Sequence, residues 1–292
     1  MQSLKKSRTA SFAAVFIVYV LAAALGAAVY SALRLSFALS LLIADIAATA
    51  FVYLMSVIFN NASVYDPYWS VQPPAILTAA AFLCGQRFTL AGAALLLAVW
   101  LWGVRLTANW ALGFPGLVHQ DWRYTMLREK SGRLYQAVNF LGIHLFPTLV
   151  VYLCILPGCF VLRTAAAFNW LSALGFIICL IGTGLEFFAD RQMRAFRLSG
   201  RGGHIRTGLW KYARHPNYLG EILMWWGVFA QALSSSPLRW QLGLGALVNT
   251  LMFLFISIPM ADRRQARKPG WREYRAATRS LLPIGKKNHE KC

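Results

Sequence analysis

Hydrophobic residues fall in eight runs, at about 11–33, 36–59, 72–84, 88–112, 138–162, 168–188, 217–234 and 240–260, separated by short polar stretches. A helix needs about 20 apolar residues to cross the hydrocarbon layer. In that layer only helices and closed barrels satisfy their own backbone groups. The pattern predicts an all-α integral membrane protein, a bundle of 7–8 transmembrane helices forming a single membrane domain over residues 1–292. The third run is short, and crosses only if Val71 to Arg87 is extended or tilted.

Basic residues sort with the runs. Of the 29 Lys and Arg, 24 lie in alternate connections: the N-terminal tail, the 112–137 loop, the 189–216 loop and the tail from Ala261. The other connections hold Arg34, Arg87, Arg163 and Arg239, one each, and Arg105 falls inside the fourth run. Cytoplasmic loops carry the excess of Lys and Arg, so both termini are predicted to be cytoplasmic. The first run, preceded by Lys5, Lys6 and Arg8, continues to about Leu33. That is longer than the apolar part of a signal peptide, and predicts an uncleaved first span.

Composition narrows the class. The chain is 58% hydrophobic and 13% charged, outside the usual range of soluble domains. A net charge of +19 in a soluble protein would suggest nucleic acid. Here the cations lie between apolar runs, which points to membrane lipid and to no nucleic acid. Four of the five cysteines (Cys84, Cys154, Cys159, Cys179 and Cys292) lie in apolar runs, and none has metal-ligand spacing. They read as small hydrophobes, with no metal site.

The densest chemistry lies between Glu186 and Glu221. Seven Lys and Arg stand between two apolar runs there, ending in Gly208-Leu-Trp-Lys-Tyr-Ala-Arg-His-Pro-Asn-Tyr-Leu-Gly-Glu221. At about 100° per residue, Glu186, Asp190, Arg194 and Arg197 fall within roughly 80° of one another on one helical stripe. Pro216 suits the first turn of a new helix. The free N–H groups of that turn, beside Arg206, Arg214 and His215, predict an anion site. Asn217, Glu221 and Trp225 follow on one face. The basic tail from Asp262 through Arg263, Arg264 and Arg267 either lies on anionic lipid or folds back to the same site.

Polar residues at membrane depth need a partner or a task. Asp45 and His144 read as structural groups, whereas Arg105, Glu186 and Glu221, near the inner face, read as parts of a site. The aromatic loop after the second run offers Asp66, Tyr68 and Trp69 as lining for a pocket open to the cytoplasmic side, or as an interfacial belt.

The Gly208–Glu221 string resembles the steroid 5-alpha reductase family. More closely, it is similar to bacterial membrane proteins of poorly defined function, grouped with that reductase's C-terminal domain. The likeness covers about the last 110 residues well and the first half loosely. It includes Asp190 with Arg194 and Arg197, Asn217 with Glu221, Arg263 eleven residues before Tyr274, and Pro283 nine residues after it. The resemblance implies a bacterial inner-membrane reductase. Its cofactor-binding half, about 181–292, holds NADPH from the cytoplasm, and about 1–180 forms the substrate-pocket half. Hydride would go to an activated C=C bond of an apolar, steroid- or lipid-like small molecule taken from the bilayer. The implied cofactor residues are Asp190, Arg194, Arg197, Arg206, Tyr212, Arg214, His215, Asn217, Tyr218, Glu221, Arg263, Arg264 and Arg267. Arginines would neutralise phosphates, and Asn217 and Glu221 would orient the nicotinamide amide.

The catalytic half departs from the family. Where the steroid enzymes carry a Glu after a Gln, this chain has Pro73 after Gln72. Where they carry a Tyr three residues before an Arg, it has Trp102 before Arg105. Tyr68 is the first candidate for the oxyanion donor, because a phenol donates a proton, and Asp66 the second. Trp69, Trp102 and Arg105 complete the expected substrate pocket. Membrane methyltransferases acting on isoprenylcysteine or phospholipid amines share Arg-His-Pro-x-Tyr and hold S-adenosylmethionine with it. They are the alternative enzyme class. No Gly-x-Gly-x-x-Gly follows a strand. A non-catalytic lipid-binding or transport protein is the third reading, and the inverted repeats expected of a transporter are not visible in the sequence.

Overall fold

The computed structural model describes residues 5–83, 85–236 and 238–282. Cys84, Cys292 and Pro283 lie outside the described residues. Every regular element is helical: α1 (Arg8–Ala32), α2 (Phe37–Ile58), α3 (Tyr68–Leu83), α4 (Leu90–Gly113), α5 (Trp122–Ser131), α6 (Phe146–Arg163), α7 (Trp170–Leu198), α8 (Pro216–Leu233), α9 (Leu244–Met252), α10 (Ile258–Gln265) and α11 (Trp271–Ala277). Helical turns join α5 to α6 and α9 to α10, so the chain crosses Trp122–Arg163 and Trp240–Gln265 without leaving helix.

Among the described residues, six helical stretches are long and apolar enough to cross a membrane: α1, α2, α4, α7 and the two continuous stretches just named. This is an integral membrane protein. The other two hydrophobic runs are also helical but fall outside that set, for separate reasons. α3 has 16 residues, about 24 Å of helix against a layer of roughly 30 Å. α8 has 18 residues but carries Asn217, Glu221 and Gln231 along its length.

Helix starts follow side-chain chemistry. Ser7 Oγ accepts from Ala10 N, Ser36 Oγ from Leu39 N, and Asp121 Oδ1 from Arg123 N. Asn169 opens α7 with a reciprocal cap to Ser172. Each cap satisfies donors that a first turn leaves open. Pro216 opens α8, where its missing N–H is no loss.

The chain forms two compact units, residues 1–76 with 106–156, and residues 77–105 with 157–292. In unit 1, α1 and α2 pack around the turn Ala62–Tyr65, with Val15, Val18, Ala22, Val52, Val64 and Tyr65 in the core. Tyr19 OH donates to Val64 O at 2.7 Å, tying that turn to α1. Before α6 the helix widens into a π turn, Asn139–Leu145.

In unit 2, α7 and α8 meet backbone to backbone. A Cβ on Gly182 would sit 2.5 Å from Gly220 O, and one on Gly175 would sit 2.7 Å from Gly227 O. Glycines seven apart on both helices therefore set the approach. This is the usual device where helices pack in lipid without a hydrophobic drive between them.

Candidate functional site

The α7–α8 contact places a polar layer inside unit 2. Glu186 and Asp190, one turn apart on α7, both face Arg105 from α4. Arg105 Nη2 pairs with Glu186 Oε2, and Nη1 with Asp190 Oδ2 at 2.8 Å. The Arg105 and Glu186 side chains are only 9% and 4% exposed, so this is a buried pair. Glu221 on α8 accepts Trp102 Nε1–H at 2.8 Å and Trp225 Nε1–H at 2.7 Å, one on each oxygen. The two indoles meet edge to face at 5.1 Å. Glu186 lies close enough to Glu221 for the two carboxyls to interact. Three carboxyls thus surround one guanidinium, braced by indole N–H donors.

The loop after α7 folds onto the end of that helix. Trp210 Nε1 donates to Ala189 O at 3.0 Å, and Ile205, Trp210 and Ala189 form a small core. Gly208 has φ +58°, and a Cβ there would strike Gln192, whose Oε1 accepts Leu209 N–H at 2.9 Å.

The tail folds back as a latch. Arg214 N donates to Arg279 O and His215 N to Ser280 O, at 2.9 and 3.1 Å. Arg214 Nη1 reaches Thr278 O at 2.5 Å, and its Nη2 reaches Asp262 at 3.2 Å. His215 Nε2 is 2.9 Å from Asp262 Oδ1, and its ring stacks on Tyr218 at 5.2 Å. Tyr274 OH donates to Trp210 O at 2.9 Å. Arg214 and His215 are therefore committed to holding the tail beside the first turn of α8.

A cationic rim surrounds the latch. Lys268 lies among Arg264 and Arg197. Partial burial, then those two charges, lowers its pKa. Partial burial, then Lys268 and Arg206, likewise lowers the His204 pKa. The His204 ring stacks parallel on Tyr274 at 5.2 Å. Arg206 Nη2 donates to Gly270 O at 3.2 Å. Arg194, Arg263, Arg267 and Tyr212 are exposed, and Asn217 is half-buried.

Trp102, Arg105, Glu186, Asp190 and Glu221 therefore come together as one layer. Arg197, Arg206 and Arg264 come together as part of the rim. Lys268, His204 and Asp262, which sequence reasoning did not single out, prove central to rim and latch. Asp66, Tyr68 and Trp69 lie in unit 1. Asp66 accepts Tyr124 OH at 2.7 Å. Burial raises its pKa to about 6, against the opposing pull of Arg123 and the hydrogen bonds from Tyr124 and Ser63. Tyr68 is buried against Tyr19 and Tyr65. Trp69 packs on the α1–α2 core.

Residues 52–278 match the family described as "Protein of unknown function (DUF1295)". An uncharacterized protein of Schizosaccharomyces pombe is 27% identical over 218 residues, 64% of this chain and 62% of that protein. The chain thus spans a little under two thirds of that relative's length. No solved structure matches the chain. The family match runs from α2 to the end of α11 and takes in both the carboxylate layer and the rim. On that match, the chain belongs to the DUF1295 family of proteins of unknown function.

Proposed function

We propose that the chain is a membrane NADPH-dependent reductase acting on an activated C=C bond of an apolar, steroid- or lipid-like substrate, with its nucleotide site facing the cytoplasm. The observation that carries this reading is the rim, where Arg197 and Arg264 lie close enough to Lys268 to act on its charge, beside Arg206 and the latch. Like charges held together in this way are relieved by a polyanion, and a ligand with a diphosphate and a further phosphate fits them as charge-assisted hydrogen bonds. The resemblance at Gly208–Glu221 points the same way. Arg197, Arg206, Arg263, Arg264 and Lys268 would hold phosphates. Asn217 would face the nicotinamide end, with Glu221, whose oxygens accept the two indole N–H groups, one turn behind it. NADPH supplies the hydride when bound. Tyr68 is the residue proposed to give the proton that completes the reduction. Asp66, already accepting from Tyr124, is second.

One observation favours S-adenosylmethionine instead. Glu186, Asp190 and Glu221 outnumber Arg105, and with two indoles beside them the layer suits a cationic group such as a sulfonium. Calorimetric titration of the detergent-extracted chain with each nucleotide separates the two readings. NADPH is expected to bind, more weakly as salt rises, and Lys268→Ala is expected to lose about ten- to a hundredfold in affinity. A chain that ignores NADPH and binds S-adenosylmethionine would establish the methyltransferase reading instead.

A further inference from the structure

Unit 1 contains a second polar group, which the chemistry above leaves unused apart from Tyr68. Asp45 on α2 is 4% exposed and Gln72 on α3 is 6% exposed. Neither terminal group makes a hydrogen bond of ordinary length and angle, although the Gln72 amide is near enough to the Asp45 carboxyl to act on it as a donor. Tyr65 and Tyr68 border the same carboxyl, and Tyr68 lies against Thr49. The Thr49 hydroxyl is 3.1 Å from that of Thr148, which is 2.9 Å from Tyr65 OH. His144 is fully buried against Tyr65, with ring centroids 4.8 Å apart. Its Nδ1 is 2.9 Å from Asn139 O, and its Nε2 is open. The π turn Asn139–Leu145 carries this histidine, and such turns recur at functional sites.

Buried polar atoms without partners are few in folded proteins and costly. Several other open atoms here belong to groups bonded elsewhere, as in Gln231, Asn139 and Arg214. Asp45 and Gln72 differ, because no atom of either terminal group has a well-formed hydrogen bond and their one polar contact is a loose one with each other. Neither makes an ion pair among the described residues. A carboxyl inside an apolar span ordinarily pairs or serves a ligand path.

We propose that this group binds the terminal hydroxyl of a neutral lipid alcohol drawn from the bilayer. A hydroxyl both donates and accepts, so one group can donate to the Asp45 carboxylate and accept from the Gln72 amide. An anionic head would bring like charge to Asp45, and an ammonium, which only donates, could not accept from the Gln72 N–H. The proposal needs no nucleotide and no hydride, so it stands or falls apart from the reductase reading.

The test uses the full chain in lipid nanodiscs and hexadecanol carrying a mid-chain diazirine. The control is the same probe ending in a methyl group. After irradiation, the alcohol should label peptides of α2, α3 and the Asn139–Leu145 turn about tenfold more than the hydrocarbon does, the ratio expected for one good hydrogen bond. Unlabelled hexadecanol should compete and hexadecane should not. Asp45→Leu and Gln72→Leu should each abolish the preference. Equal labelling by both probes overturns the proposal, as does a preference retained in a folded Asp45→Leu/Gln72→Leu double variant. Trapped water then completes the group. The competition arm uses the unaltered chain, so a variant that fails to fold does not decide the outcome.

Discussion

Arg105→Met removes the guanidinium that two carboxyls of α7 share while keeping most of its apolar stem. At 2.8 Å and an effective dielectric of about 20, the Asp190 contact is worth roughly 6 kcal/mol of gross attraction. Desolvating the ions offsets much of this in the intact protein. The variant still bears that cost, because Glu186 stays buried, and has lost the counter-charge that compensated it. Removing one partner of a buried pair costs about 3–5 kcal/mol, and Arg105→Met is expected to fall in that range. Thermal or denaturant unfolding in detergent, followed by tryptophan emission, measures it, since Trp102 and Trp225 sit in the same layer. The decisive arm is rescue. Arg105→Met combined with Glu186→Gln and Asp190→Asn should recover most of the loss, because the one carboxyl then left, Glu221, keeps an indole N–H donor on each oxygen. A single-variant loss under about 1 kcal/mol, or a loss that neutral carboxamides do not repair, would refute the electrostatic account of the layer.

Asp66 should make stability fall as pH rises. Its folded pKa of about 6 exceeds that of an ordinary carboxyl. The native chain therefore keeps the proton longer than the unfolded chain, and stability drops between about pH 4 and pH 6 by at most about 3 kcal/mol. Asp66→Asn should flatten that slope, and an unchanged slope would assign it to another group. Gly220→Ala should cost about 1–3 kcal/mol, since its Cβ would lie 2.5 Å from Gly182 O, whereas Gly184→Ala, with nothing within 4 Å, should be neutral or mildly stabilising. Equal unfolding midpoints for the two would argue against backbone contact between α7 and α8. Asp262→Asn should loosen the latch, raising hydrogen exchange across 266–282 about ten- to a hundredfold while the spans keep their protection. Unchanged exchange would mean that Asp262 is dispensable for holding the tail.

The helices were legible because apolar runs of this length have few other fates. All eight runs are helical in their described residues, and the two outside the set long and apolar enough to cross are set apart by their length and polar content. The stripe Glu186–Asp190 was legible from helical spacing, as was Trp225 one turn beyond Glu221. Trp102 was not, because it lies 119 residues from Glu221 in the chain, and no periodicity reports a contact of that range. This matters to the reading of Glu221. A buried carboxylate there needs a donor, and the chain itself supplies two indoles where a ligand amide was expected. Arg214 and His215 suggested an open anion site by type, but Asp262 and the tail carbonyls engage them. The π turn at Asn139–Leu145 leaves no mark in residue pattern, and neither does the open Nε2 of the His144 it carries.

The glycine contacts between α7 and α8 bear on what the carboxyl layer can tolerate. Glu186 rides on one of these helices and Glu221 on the other. Repelling charges on two helices ordinarily gain relief when the helices slide or part. Here main chain already rests on main chain at Gly182 and Gly220, and Glu186 Cγ would lie 2.5 Å from a Cβ at Gly220. The carboxyls are therefore held at a spacing set by backbone bulk, not by their own mutual preference. Relief comes from outside the two helices, where Arg105 of α4 supplies one cation, and any further relief would come as another cation or a proton. A visiting ligand's positive charge would then be stabilised without any helix movement.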